Sequence, residues 1–375
     1  MKLTPLHIVL FLLTFATTTL AGAEWVMGKS FFYHWNEMGW GELKRGLPYA
    51  AAFLGFLTVH EMGHFLVARW RRIQVTWPYY IPFWIVISTS IGTLGAFIRI
   101  KSKNLSRTDY FDIGVAGPLA GFVIALGVTW YGMTHLPPLD YVLSIHPDYI
   151  ALGDDYRQIL SRLRQPQEVI QLGDNLLFYI FREYVADPAL FPHAYEVIHY
   201  PYLLAGYLGL FFTALNLLPI GQLDGGHILY GLIGPRAFQI VSPLLFTGLV
   251  FYSGLGLFTV EEFQTIDRDA YWELCGYFLL YLYFIYLCFS RITSQWITNV
   301  LISLVVVIGQ LTLQHIEPTW TGYAGFLMFG FLLGRVLGVH HPTTTQSSPL
   351  SWWRQVLGWI GMLIFILCFS PNPLI

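Results

Sequence analysis

AAFLGFLTVHEMGHFLVARW, residues 51–70, decides the fold class, because it sets two histidines and a glutamate inside a segment otherwise built for lipid. The apolar stretch runs from about Leu47 to Trp70, close to the ~20 residues an α-helix needs to cross a bilayer. His60 and His64 stand four residues apart, so on a helix both imidazoles share one face and can bind one zinc ion. Glu61 is then placed beside the metal, where a carboxylate can take a proton from water activated by zinc. Ionisable side chains at membrane depth are expensive and mark function by default. The stretch points to metal-assisted hydrolysis inside a membrane.

The composition agrees with a polytopic membrane protein. Of 375 residues, 55% are hydrophobic and only 11% charged, less than half the ~25% charged residues of soluble domains. A net charge of −2 without a basic tract gives no reason to expect nucleic acid. Thirteen tryptophans and 23 tyrosines suit interfacial belts or packing between helices. Cys275, Cys288 and Cys368 each lie in apolar sequence and read as buried small hydrophobes, not as a disulfide framework or a cysteine zinc site.

Nine candidate spans follow from hydropathy, at 4–22, 46–70, 111–134, 201–219, 236–258, 274–290, 296–315, 320–339 and 352–372. The first is ambiguous, since Ala21-Gly22-Ala23 also resembles a signal-peptide cleavage site; a retained helix is the favoured reading. Seven basic residues and no acidic ones lie between Arg69 and Arg107. That asymmetry assigns the end of the HEMGH helix to the cytoplasmic side. The 135–200 loop, with nine acidic residues against four arginines, suits the outer face. With nine spans the N-terminus is inside and the C-terminus outside. Within that loop, DDYRQILSRLRQPQEVIQ (154–171) can form a short amphipathic helix.

Segment 73–100 is apolar enough to span, yet both of its flanks are basic and should share a side. A re-entrant β-hairpin resolves the conflict. Its β-branched and aromatic residues favour strands, with Gly92 and Gly95 expected at the turn. Non-helical backbone at membrane depth needs protein or water around it, so the hairpin is expected to line the site. The fold class expected is therefore an all-α polytopic membrane protein with about 8–9 transmembrane helices and a short membrane-associated β-hairpin.

A catalytic zinc takes three protein ligands and keeps one open position. Asp224, in NLLPIGQLDGGHI, is the best candidate for the third, because the span before it returns to the side of HEMGH. Pro219, Gly221, Gly225 and Gly226 are expected to break the helix around it. An ordinary Asp-Gly turn is the competing reading. Asn216 could donate to the oxyanion of an attacked peptide carbonyl or simply join helices. His227 could approach the metal or bind backbone. His340 and His341 read as interfacial. His135, His146, His193 and His199 belong to the outer loop and read as structural or solvated. The small residues of GVAGPLAGF, near Gly114, read as a packing seam.

HEMGH at 60–64, AGPLAG at 116–121 and NLLPIGQLDGG at 216–226 together resemble the site-2 protease family of intramembrane zinc metalloproteases. The resemblance covers about residues 46–234. It implies that His60, His64 and Asp224 are the zinc ligands, with one Zn2+ per chain, that Glu61 is the catalytic base, and that Asn216 sits at the substrate or oxyanion position. It also makes 73–100 look like the hairpin that follows the family's HExxH helix. Some bacterial members carry a PDZ domain, for which the 135–200 loop shows no signature.

The expected organisation is an N-terminal helix and outer loop over 1–45, a catalytic core over 46–234 and a C-terminal transmembrane bundle over 235–375. The expected activity is hydrolysis of peptide bonds in or near transmembrane segments, with membrane proteins as substrates and the lipid bilayer as solvent. A membrane ion or zinc transporter and a catalytically silent scaffold are the alternatives. The expected location is a prokaryotic cytoplasmic membrane, with the active site nearer the cytoplasmic side.

Overall fold

Each apolar run folds as a helix whose ends follow local chemistry. In the computed structural model, residues 3–34, 38–85, 90–102, 104–138, 140–152, 170–346 and 348–374 are described. The candidate amphipathic helix of 154–171 lies almost wholly outside them. The main elements are α1 (Pro5–Met27), α2 (Leu47–Trp70), β1 (Tyr79–Pro82), β2 (Thr93–Phe97), α3 (Arg107–Thr134), α4 (Pro201–Leu217), α5 (Asp224–Ser253), α6 (Arg268–Phe289), α7 (Trp296–Ile316), α8 (Gly325–Phe331, continued by a π-helical turn Leu332–Leu337) and α9 (Trp352–Cys368). Among the described residues, six helices are long and apolar enough to cross a membrane. The shorter α4, of 17 residues, reaches about 25 Å at 1.5 Å per residue. The chain is a helical polytopic membrane protein. Large apolar side chains such as Leu12, Val123, Leu245 and Val305 face outward, as lipid-facing surfaces require.

The chain divides into two compact units: residues 1–105, 112–217 and 359–375 form one, and residues 106–111 and 218–358 the other. In the first, Pro5 opens α1 and Gly28 closes it in the left-handed conformation (φ 64°), its N–H capping the carbonyls of Glu24 and Trp25. The Ala21-Gly22-Ala23 run, which resembles a cleavage site, is buried. Gly22 and Gly46 let α1 and α2 touch, since a Cβ on either would run into backbone or Tyr49 of the other.

The hairpin forms where the basic flanks demanded it. β1 and β2 pair antiparallel in the register Tyr79↔Phe97, Tyr80↔Ala96 and Pro82↔Thr93, and a bridge joins Val75 to Ile100. The glycines, however, are not its turn. Gly95 lies within β2 and Gly92 just before it, both with positive φ (103° and 89°). Gly92 is placed by its neighbour: a Cβ there would meet the backbone of Thr18 on α1, and its carbonyl accepts a 2.7 Å bond from the Thr17 hydroxyl. β1 leans on α1 through His7 stacked on Tyr79 at 4.3 Å. It also meets α2, where the Thr58 and Tyr80 hydroxyls bond at 2.8 Å and Phe65 stacks on Trp77.

In the second unit, the segment 218–223 separates two helices, but the break is narrower than expected. Pro219 and Gly221 (φ 58°) make it, whereas Gly225 and Gly226 belong to the first turn of α5. A side chain at 226 would strike the carbonyls of Ile220 and Gly221. Ser242 staples the break by accepting from Gly221 N–H and donating to Val339 O. α5 is itself two helices joined at Gly234 (φ 82°), and the Arg107 guanidinium donates to the Gly231 carbonyl left open there. Cys288 and Cys368 are buried, Cys275 is partly so, and all three are free thiols.

Candidate functional site

Pro48 starts α2 with its φ already helical, and the helix then carries His60, Glu61 and His64 to where water is scarce: they are 2%, 5% and 6% exposed. The two Nε2 atoms stand 3.1 Å apart, with the rings inclined at 75°. Two nitrogens bound to one tetrahedral zinc at about 2.0–2.1 Å are about 3.3 Å apart, so this pair already has the spacing of a metal edge. The His64 ring is fixed as well. Its Nδ1–H donates to the Ile113 carbonyl on α3 at 2.8 Å, which leaves the lone pair on Nε2 toward His60. The residues present therefore fit a zinc ion.

The AGPLAG run proves to be more than a general packing seam. Gly63 of α2 faces the Ala116 carbonyl, and a Cβ at Gly117 would fall on the His64 ring itself. Gly121, one turn on, lies against Cβ of His60. Pro118 takes one N–H out of the α3 ladder, which leaves the Gly114 carbonyl, next to Ile113, without its helical donor. Sequence reasoning missed the Ile113 carbonyl, for which the sequence carries no local signal.

Asn216, the penultimate residue of α4, also reaches this face. Its Nδ2 is 3.5 Å from His60 Nε2, so its amide points at the metal-binding edge. His60, Glu61, His64 and Asn216 thus share the first unit. Asp224 is in the second unit. It is half-buried as the first residue of α5, following Leu223 in extended conformation, where the helix dipole favours a carboxylate. Three residues on, His227 meets a second histidine. Its Nδ1–H donates to His341 Nε2 at 2.8 Å, and His341 lies flat on Tyr230 with centroids 3.7 Å apart. His341 is thus half-buried among aromatic rings, and burial pushes its pKa down to about 4.

The model of peptidase family M50 matches residues 48–260. The chain belongs to peptidase family M50. That is the site-2 protease family which its motifs resemble. It is 36% identical over 211 residues to the probable zinc metalloprotease EGY1, chloroplastic, of Arabidopsis thaliana, covering 56% of this chain and 33% of that protein. The rice (Oryza sativa subsp. japonica) protein of the same name is 34% identical over 233 residues, covering 62% and 35%. The probable zinc metalloprotease EGY2, chloroplastic, of Arabidopsis thaliana is 28% identical over 263 residues, covering 64% and 41%. The chain therefore spans between a third and two fifths of the length of these relatives. No solved structure matches it.

Proposed function

We propose that this M50 member is a zinc endopeptidase that cuts membrane proteins in or near their transmembrane segments. The observation that carries the reading is the buried His60–His64 pair, its Nε2 atoms 3.1 Å apart and one ring locked by a helix carbonyl. His60, His64 and Asp224 would hold the metal. Asp224 is supported by its place at the start of α5, just beyond a Pro-Gly break, and by a family match that spans both motifs. When bound, zinc supplies a Lewis acid that lowers the pKa of water and polarises a carbonyl.

The protein's own groups do the rest. Glu61, 5% exposed on the same turn as His60, accepts the proton of the attacking water and returns it to the leaving amine. The Asn216 amide, beside His60, donates to the oxyanion that develops on the scissile carbonyl. The site must keep lipid from the carbonyl while admitting water. A substrate helix must unwind locally first, because an intact helix holds its carbonyls in hydrogen bonds. The β1–β2 hairpin beside α2 offers an extended edge on which an unwound strand can pair.

The core of this activity is residues 46–234, with 1–45 and 235–375 as flanking membrane segments. The basic run between Arg69 and Arg107 supports a site nearer the cytoplasmic side, or the equivalent side of an organelle. The relatives' chloroplastic names make a plastid membrane as good a fit as a prokaryotic cytoplasmic one. The test is cleavage of a transmembrane peptide in liposomes by wild type and Glu61→Gln. The variant should keep its zinc and lose cleavage by at least about 100-fold. Turnover at the wild-type rate would end the assignment.

A further inference from the structure

We propose that His146, Glu196 and His199 form a second metal site, for zinc or a similar first-row divalent cation, that ties the outer loop to the end of α1. His146 lies some fifty residues before the other two, and all three are distinct from the HEMGH pair. Their donor atoms form a small triangle. His146 Nε2 and His199 Nε2 are 3.2 Å apart, and Glu196 Oε2 lies 3.4 Å from the first and 3.5 Å from the second. The edge between two ligands of a tetrahedral zinc is about 3.3 Å for bonds of 2.0–2.1 Å. All three edges match.

Local structure accounts for two of the ligands. Residues Ala194–His199 form a 3-10 helix, in which side chains three apart eclipse, so Glu196 and His199 project from one face. The third, His146, follows the short helix Asp140–Ile145 and stacks on Tyr149. Orientation is fixed from behind. His199 Nδ1–H donates to the last-turn carbonyls of α1, Trp25 O at 2.8 Å and Val26 O at 3.1 Å, leaving its Nε2 lone pair toward the triangle. That is how metal-binding imidazoles are held. Gly28 makes the approach feasible, because a Cβ there would press on His199 Cε1.

Glu196 is the decisive member. It is completely buried. Tyr149 O–H donates to its Oε1 at 2.9 Å, while its Oε2 has no hydrogen bond among the described residues and faces the two imidazoles. A buried carboxylate is costly without a compensating charge. A proton on one imidazole would satisfy one edge of the triangle, whereas a divalent cation meets all three donors at once. Two nitrogens and one carboxylate oxygen suit zinc. The site would then clamp residues near 146 to residues near 199 and both to α1, a structural role.

The experiment is metal stoichiometry of the detergent-purified full chain after equilibration with zinc and removal of excess. Wild type should hold two equivalents, and His146→Ala and the near-isosteric Glu196→Gln should each hold one. His60→Ala should hold one, and His60→Ala with His146→Ala none. Retention of the first zinc in His146→Ala also shows that the variant is folded. One equivalent in wild type, unchanged by His146→Ala and Glu196→Gln, overturns the proposal and leaves a proton-bridged cluster. Loss or survival of the His60-dependent equivalent tests the active-site reading separately.

Discussion

Gly117→Ala tests how the zinc edge is built. The added Cβ would lie within 3.0 Å of Nε2, Cε1 and Cδ2 of His64, so the ring cannot stay where it is. Turning it off its rotamer costs about 0.5–1.5 kcal/mol. Losing the Nδ1–H bond to Ile113 O costs about 0.5–1.5 kcal/mol more. Together these are about 1–3 kcal/mol, or about 5- to 150-fold in zinc affinity. Competition against a chelator of known affinity measures it directly. Gly127→Ala is the control on the same helix, since a Cβ there meets nothing within 4 Å; it should leave zinc binding alone and, if anything, stabilise α3. Wild-type zinc affinity in Gly117→Ala would refute the argument. So would equal losses in both variants, which would indicate a general response of α3 and not a clash with His64.

Gln310 bridges three helices of the second unit, accepting from Tyr281 O–H at 2.6 Å and donating to the Val250 and Phe251 carbonyls. Gln310→Leu should lower stability by about 1–3 kcal/mol, because it strands a buried hydroxyl. Adding Tyr281→Phe should recover part of that loss in thermal unfolding, and a double variant less stable than the single would count against the network. His341 titrates near 4 when folded and near its ordinary value of 6.5 when unfolded. Between those values the unfolded chain binds the extra proton, so stability is lost as pH falls from about 6.5 toward 4. His341→Gln should flatten that part of the curve of melting temperature against pH; parallel curves for the two proteins would exclude the residue as a cause.

The HEMGH helix was legible because its signal is local: two imidazoles four apart in an apolar stretch long enough to cross a bilayer. The hairpin was legible from charge, since Arg71, Arg72, Arg99 and Lys101 cannot easily sit on opposite sides of one crossing. Its glycines were misread because Gly92 answers to Thr17 and Thr18, some 75 residues away, and not to a turn of its own. The start of α5 was hidden for a similar reason. Gly225, Gly226 and Gly234 resemble breakers in sequence, yet Gly226 permits close passage of carbonyls and only Gly234 leaves the helical conformation. Glycine reports that something is close, and the sequence does not say what.

The histidines show the same limit from the other side. His64 and His199 are each oriented by a helix carbonyl: Ile113 O within α3, and Trp25 O and Val26 O at the Gly28 cap of α1. A helix carbonyl keeps a second lone pair beyond its ladder bond, and the last-turn carbonyls of α1 lack a ladder donor, so either kind can hold a ring by Nδ1 and present Nε2. Neither bond joins residues near in sequence. His199 was set aside because it lies in the outer loop, although a glycine cap, a 3-10 turn and a carboxylate at i−3 surround it. The spacing of His60 and His64 carries its meaning within five residues. The meaning of His146 and His199 depends on a chain that returns, after some fifty residues, to the end of α1.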